Sequence, residues 1–268
     1  MKNRIDDIFS RLKAEGKKAF IPFITAGDPT LDVTRSLILK LESIGADIIE
    51  LGIPFSDPIA DGPSIQRASL RALENNTSLR DVIRLVSEVR NETQIPIVVM
   101  GYYNPIYKYG VKKFAKVAVE AGIDGAIIAD LPPEEASELM EQSRQNGLST
   151  IFLIAPTSTP ERVRLIAEES TGYVYCVSTT GVTGARNEIS DMLVPTVNLI
   201  RQYSDKPIAV GFGVSTPEQA YEVARLADGV IIGSAIVNIV EKHKDNVGEM
   251  LDAVGDFAFS LVKAIKSI

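Results

Sequence analysis

The 268-residue chain has one cysteine, one histidine, no block of basic residues and no long apolar run. Each shortage removes a class of function. Cys176 lies in an apolar stretch and has no second cysteine to bridge to, which points to a reducing compartment. With no histidine beside it, it is a poor thiol nucleophile and reads as a small core hydrophobe. His243 sits in Glu241-Lys242-His243-Lys244-Asp245, a solvated setting rather than a metal site. Basic residues number 28 against 35 acidic ones, for a net charge of -7. A nucleic-acid binder needs a positive footprint, so no nucleic-acid partner is expected. No stretch reaches the roughly 18 apolar residues of a membrane span. The N-terminal MKNRIDDIFSRLKAEGKK has no apolar signal core. A cytoplasmic protein without a membrane partner is expected.

What the chain does have is short apolar runs, within a composition that is 45% hydrophobic. They cover residues 19–25, 47–51, 95–100, 125–129, 149–154, 173–178, 207–210 and 229–232. The runs are nearly continuous in apolar character, as strands covered on both faces require. Between them lie segments with apolar residues at helical spacing, such as Val82, Ile83, Val86 and Val89. Strand-helix alternation repeated eight times in this length predicts an α/β fold, the (β/α)8 barrel. We expect one such domain over residues 1–268, with an extra N-terminal helix and additional helices after strands 2 and 8. A doubly wound open sheet would need a GxGxxG turn after the first strand. Thr25-Ala26-Gly27-Asp28-Pro29 offers one glycine and a proline instead. Pro22, inside the first run, is awkward for a central strand.

Barrel active sites lie where the strands end. There the most unusual stretch is Ile48 to Gly62, IIELGIPFSDPIADG. Glu50 closes an apolar run, and desolvating its charge is expensive. It either pairs with a cation or backbone group, or has proton-transfer work at a cavity. Asp57 and Asp61 follow in a loop, four apart on no demonstrable common face, so they make a poor metal site and none is expected. No strand carries a lysine, which disfavours imine chemistry. Glu50 and Asp61 are left as acid-base candidates, since carboxylates in an apolar mouth can titrate near neutrality. Tyr173 and Tyr175 share one face of the sixth strand by period two. Aromatic core filling and a role at the site both remain open for them.

Glycines mark the last strand ends. Gly211-Phe212-Gly213 follows the seventh strand and Gly233-Ser234 the eighth, where barrels cradle phosphates with backbone amides and a helix N-terminus. Ser234 is placed to cap the following helix. Gly181 and Gly184, in the small and polar loop after the sixth strand, suit a lid. Glycines that merely make turns are the alternative. Residues alone therefore indicate a phosphorylated small substrate and general acid-base chemistry, and go no further.

Several motifs together resemble the alpha-subunit family of tryptophan synthase over nearly the whole chain. The most specific are Glu50-Leu51-Gly52-Ile53-Pro54-Phe55-Ser56-Asp57-Pro58 and Ala60-Asp61-Gly62-Pro63. Thr25 to Pro29, Gly181-Val182-Thr183-Gly184, Gly211 to Ser215 and Gly233 to Val237 support them. The resemblance implies a lyase of tryptophan biosynthesis. The reaction it implies is retro-aldol cleavage of indole-3-glycerol phosphate to indole and glyceraldehyde 3-phosphate. Glu50 would be the acid-base group, Asp61 the acceptor of the indole N–H, and Tyr175 the tyrosine near the substrate glycerol. Gly184, Gly213, Gly233 and Ser234 match phosphate-contacting positions. Phe23, Tyr102, Thr183 and Phe212 match the pocket and lid. It implies no cofactor in this chain, with pyridoxal phosphate only in a beta-subunit partner, and an α2β2 assembly. The loop around Asp57-Pro58 and the lid would carry communication between subunits. Thr179 stands where well-known members carry arginine, and Ala185-Arg186 follows the glycine motif, a departure that bears on the lid and not on the carboxylates. A stand-alone lyase, a phosphosugar isomerase and a non-enzymatic phosphate binder are the alternatives.

Overall fold

In this computed structural model, the structure describes residues 3–177, 186–211 and 213–268, with the backbone alone for 186–192. The strands are β1 (Ala19–Thr25), β2 (Ile49–Gly52), β3 (Ile97–Gly101), β4 (Gly125–Ile128), β5 (Ser149–Ile151), β6 (Leu153–Ile154), β7 (Val174–Val177), β8 (Ile208–Gly211) and β9 (Gly229–Ile232). All pairings are parallel, in the order β5-β4-β3-β2-β1-β9-β8-β7-β6. The two ends of that order, β5 and β6, are consecutive along the chain and separated only by Phe152. They form one stave, so the nine segments close into the expected eight-staved barrel. The fifth run was expected to be unbroken; it divides where its pairing passes from β4 to β7.

The same handover accommodates Pro22. Residues Ala19 to Pro22 register with β9 and Phe23 to Thr25 with β2. The missing N–H therefore falls where the strand changes partner, and β1 keeps its central place.

Helices α1 (Arg4–Ala14), α2 (Leu31–Ile44), α3 (Pro63–Glu74), α4 (Leu79–Val89), α5 (Tyr103–Tyr109), α6 (Val111–Glu120), α7 (Ser137–Asn146), α8 (Pro160–Glu169), α9 (Arg186–Tyr203), α10 (Pro217–Leu226), α11 (Ser234–Lys242) and α12 (Val247–Ile265) surround it. Extra helices after the second and last staves are present as expected, α3 with α4 and α11 with α12. Helix α5 forms where Tyr103-Asn104-Pro105 would suit a loop. Its Pro105 lies in the first turn, where a missing N–H costs nothing. Among the described residues no helix is long and apolar enough to cross a membrane.

Two cores result. Ile24, Leu51, Val99 and Val210 face outward against the helices. Ile21, Phe23, Val98, Ile127, Tyr173, Tyr175 and Ile231 fill the barrel interior. Helix α1 closes the N-terminal end of that interior with Ile5, Phe9 and Leu12; the Phe9 and Tyr173 rings lie 5.8 Å apart. Asn3 fixes α1 there. Its side chain accepts from the N–H of Ile5 and donates to the Asp124 carbonyl at 2.9 Å and to Ser149 Oγ at 2.8 Å. Asn3→Ala removes a helix cap and two cross-links, so we expect a loss of about 1–2 kcal/mol, measurable by urea unfolding.

Aspartates stitch the same rim. Asp47, Asp124 and Asp228 each precede a strand and accept an N–H from the first or second residue of a neighbouring stave, from Phe20, Ile97 and Ile208. Lys266, Arg90 with Arg4, and Arg201 balance their charges. The N-terminal end is thus built for stability, leaving the opposite end for chemistry.

Candidate active site

Glu50 is the second residue of β2, registered between Phe23 and Val98, and its side chain points into the barrel. It is 0% exposed. No cation reaches it among the described residues: its partner is the Tyr173 hydroxyl, which donates to Oε1 at 2.8 Å. The other oxygen, Oε2, is buried without a hydrogen-bond partner among the described residues. Loss of water dominates, and despite the Tyr173 bond it pushes the carboxyl up to about 8. Glu50 is therefore protonated at neutral pH. Among the described residues the salt-bridge reading that the sequence left open does not hold.

Asp61 sits in the loop between β2 and α3. Its Oδ2 accepts from the Tyr102 hydroxyl at 3.0 Å, and that hydroxyl accepts the Ala60 N–H at 3.0 Å. Burial raises Asp61 to about 6, with the Tyr102 bond opposing. At neutral pH it is ionised while Glu50 is not. Two carboxyl groups at one end of a barrel thus hold opposite protonation states, an arrangement suited to acid-base chemistry.

A cavity opens at this end, lined by Phe23, Thr25, Gly52, Asp61, Met100 and Tyr102 among others. Gly52 makes room for the Phe23 ring in its wall, because a Cβ there would stand 2.6 Å from that ring. Tyr175, buried in the interior, is also seated over a glycine: a Cβ on Gly211 would overlap its hydroxyl. Burial, then the charges of Glu50 and Asp61, hold the Tyr175 hydroxyl protonated. Tyr173, just before β7, and Tyr175 within it thus both face inward, as period two requires. The one that bonds Glu50 is Tyr173, which the sequence reading named without placing at the site. Its position on the same face as Tyr175 was the available signal.

At the end of β9, Gly233 is the N-cap of α11 and its Cα faces the Phe23 ring, a Cβ being 3.5 Å from it. The expectation that Ser234 caps this helix is corrected: Ser234 is its first residue, and the helix has no side-chain cap bond. Leading N–H groups of a helix lack intrahelical acceptors, and with no side chain capping them among the described residues they are open to an anion. Gly213, at φ +76, adopts the left-handed conformation that favours glycine. Thr183, Gly184 and Phe212, with Thr179 and the rest of the lid segment 178–185, lie outside the described residues.

The turn after β1 and the last turn of α11 are joined to α3 by charge. Arg71 on α3 holds Asp28, which is 2% exposed, through two bonds of 2.8 Å, and reaches Glu241 on α11 at 2.9 Å. Arg67, one turn earlier, holds both oxygens of Glu241 at 2.7 Å. This network escaped the sequence reading, since nothing local pairs residues on three separate elements. Among the described residues no three His, Cys, Asp or Glu side chains gather as a metal site.

The chain matches the family model described as tryptophan synthase alpha chain over residues 9–266. It is 49% identical over 263 residues to the tryptophan synthase alpha chain of Geobacter sp. (strain M21), covering 98% of each chain. It is 49% identical to that of Thermoanaerobacter pseudethanolicus over 263 residues, 98% of this chain and 99% of the other. Among solved structures, tryptophan synthase subunit alpha from Legionella pneumophila str. Paris superposes with a TM-score of 0.92 at 42% identity, covering 100% of both chains. A barrel with a protonated glutamate in its interior, an ionised aspartate above it and an uncapped helix at the last strand end is thus the setting in which this sequence likeness is found: the chain belongs to the tryptophan synthase alpha chain family.

Proposed function

We propose that this chain is a lyase that cleaves indole-3-glycerol phosphate to indole and glyceraldehyde 3-phosphate, as the alpha subunit of tryptophan synthase. Glu50 carries the reading. A carboxyl group buried at the site with no cation beside it among the described residues, and protonated at neutral pH, is ready to act first as an acid. It gives its proton to C3 of the indole ring. The ring becomes an indolenine cation, whose N–H donates to the ionised Asp61. Glu50, now a carboxylate, takes the proton from the hydroxyl on the carbon attached to C3. The bond between that carbon and C3 breaks, its electron pair returns to the ring, and the carbon leaves as the aldehyde. Glu50 ends protonated as it began.

Tyr175 faces the substrate glycerol from beside the two carboxylates. The uncapped start of α11 at Gly233 and Ser234, with Gly213 and Gly184, receives the phosphate. Phe23, Tyr102, Thr183 and Phe212 enclose the ring. The reaction uses no cofactor in this chain; pyridoxal phosphate belongs to the beta subunit, the family's partner. The α2β2 stoichiometry, the cytoplasmic location and the working of residues 1–268 as one domain are part of the proposal. The tip of the loop after β2 carries Ile59, 85% exposed, on the same side as the site, which suits contact with that partner.

Indole release from indole-3-glycerol phosphate, with and without beta subunit, is the test. Slow turnover that rises strongly with the beta subunit is expected; high activity alone favours the stand-alone lyase, and no indole in either case refutes the proposal. Rate should also trace a bell against pH. Asp61 must be ionised and Glu50 protonated, so kcat/KM is expected to fall below about 6 and above about 8. A flat profile from 5 to 9, at roughly one unit beyond each limit, would reject the assignment of those states.

A further inference from the structure

The loop between β2 and α3 makes three contacts with one side chain. The Phe55 ring stacks on the Tyr102 ring, centroids 5.1 Å apart and planes 27° from parallel. The Ala60 N–H donates to the Tyr102 hydroxyl, and that hydroxyl donates to Asp61 Oδ2, each at 3.0 Å. Tyr102 is buried at the end of β3, and it is itself the N-cap of α5. The next N–H, from Tyr103, is held by Asp130 Oδ1 at 2.8 Å, which ties the same corner to the end of β4. The loop is therefore pinned near its beginning and at its end to one rigid post, while Ser56, Asp57 and Ile59 between the pins are exposed.

We propose that Tyr102 is the positioning residue of Asp61: its hydroxyl, oriented by the Ala60 N–H, fixes one carboxylate oxygen and thereby aims the other at the indole N–H.

A hydroxyl accepting a backbone N–H has its proton directed elsewhere, and here the acceptor in that direction is the carboxylate. A carboxylate bound through one oxygen loses rotational freedom before substrate arrives, so less ordering remains for the reaction step. Because the bond is made to the charged form, it also favours ionised Asp61. Among the described residues the other titratable groups that bear on this pair are Tyr175 and Asp130; burial first, then the charges of Asp61 and Asp130, oppose ionisation of the Tyr102 hydroxyl, which remains a donor. A pocket wall alone would use the ring and leave the hydroxyl idle.

This inference rests on the proposed lyase reading, so its test needs a readout independent of turnover. Tyr102→Phe keeps the ring and its stack on Phe55 and removes only the hydroxyl. Loss of one such bond is expected to lower kcat roughly tenfold, with a smaller change in KM. The acid limb of the pH profile should move to higher pH. Carbon-detected NMR titration of the Asp61 side chain should show the same upward movement without any substrate. Phe55→Leu, which loosens the stack and spares the hydroxyl, should leave that titration where it is. An unchanged Asp61 titration in Tyr102→Phe overturns the proposal, as does a rate loss with the acid limb in place. If the Tyr102→Phe chain does not fold, Ala60→Pro, which removes the N–H that orients the hydroxyl, takes its place with the same expected direction and the same refutation. Absence of indole release by the wild-type chain would instead refute the lyase reading, and the NMR titration would still report on Tyr102.

Discussion

Glu50→Gln is expected to abolish indole release and at the same time to make the protein more stable. Glutamine has the shape of glutamate and still accepts the Tyr173 hydroxyl bond, but it has no proton to deliver to C3. Loss of a general acid-base group typically lowers a rate by a factor of about 10²–10⁴, and here one group serves both steps, which places the loss toward the upper end. Substrate binding should persist, since the phosphate and ring contacts are untouched. The stability effect follows from linkage. The folded chain holds a proton on Glu50 up to about 8, whereas an unburied glutamate releases it near 4.5. Between those values the folded state binds more protons than the unfolded state, so stability falls as pH rises, by about 1.4 kcal/mol per pH unit. Below the lower value the penalty is absent. Glutamine carries no such penalty at any pH. At pH 7 the gain is on the order of 3 kcal/mol, growing toward pH 8 and vanishing near pH 4. Thermal melts of both chains across that range read it directly. A variant that still cleaves substrate while folded would remove Glu50 from the mechanism. Equal melting at pH 4 and pH 8 would show that the carboxyl is not held protonated.

Arg71→Met is expected to be the most damaging single change outside the carboxylates. Methionine retains much of the aliphatic stem, so packing is largely kept. What is lost is the cation between two acids. Asp28 is 2% exposed and holds both Arg71 bonds at 2.8 Å; without them it is a buried charge with nothing opposite. Breaking a buried pair from one side costs about 3–5 kcal/mol. In a chain of this size that corresponds to a melting point lower by roughly 6–20 °C. Burial already raises Asp28, and Arg71 is what opposes that rise. The variant should therefore recover stability as the pH is lowered and Asp28 takes a proton. Asp28→Asn in the Arg71→Met background should recover much of the loss at neutral pH. A melting point within two degrees of wild type would mean the pair contributes nothing net. Activity should suffer more than stability alone explains, because Arg71 and Arg67 tie α3, which follows Asp61, to α11, which begins at the proposed phosphate site. A raised KM for indole-3-glycerol phosphate in the folded variant would show it.

Much of this was legible in one dimension. The alternation of apolar runs and amphipathic segments placed the staves and helices, because strand and helix periods are local properties of the chain. The rule that barrel chemistry sits at strand ends then isolated Glu50, Asp61 and the glycines after the last two strands. Misreadings fell where a local signal served two outcomes. Ser234 is a good cap in isolation, yet the chain enters α11 through Gly233 and leaves the first amides open. Tyr102 to Pro105 carries loop-forming residues, yet proline in a first turn is compatible with the helix that forms there.

The amino-acid sequence by itself determined the eightfold barrel and put Glu50 and Asp61 together at one end of it. Tertiary structure alone decided their protonation, and which tyrosine serves which acid. Tyr173 meets Glu50 across 123 positions of sequence, and Tyr102 meets Asp61 across 41. Such meetings depend on the register and closure of the whole barrel. The removal of water that holds a proton on Glu50 likewise comes from every stave at once, and no stretch of the chain encodes it alone.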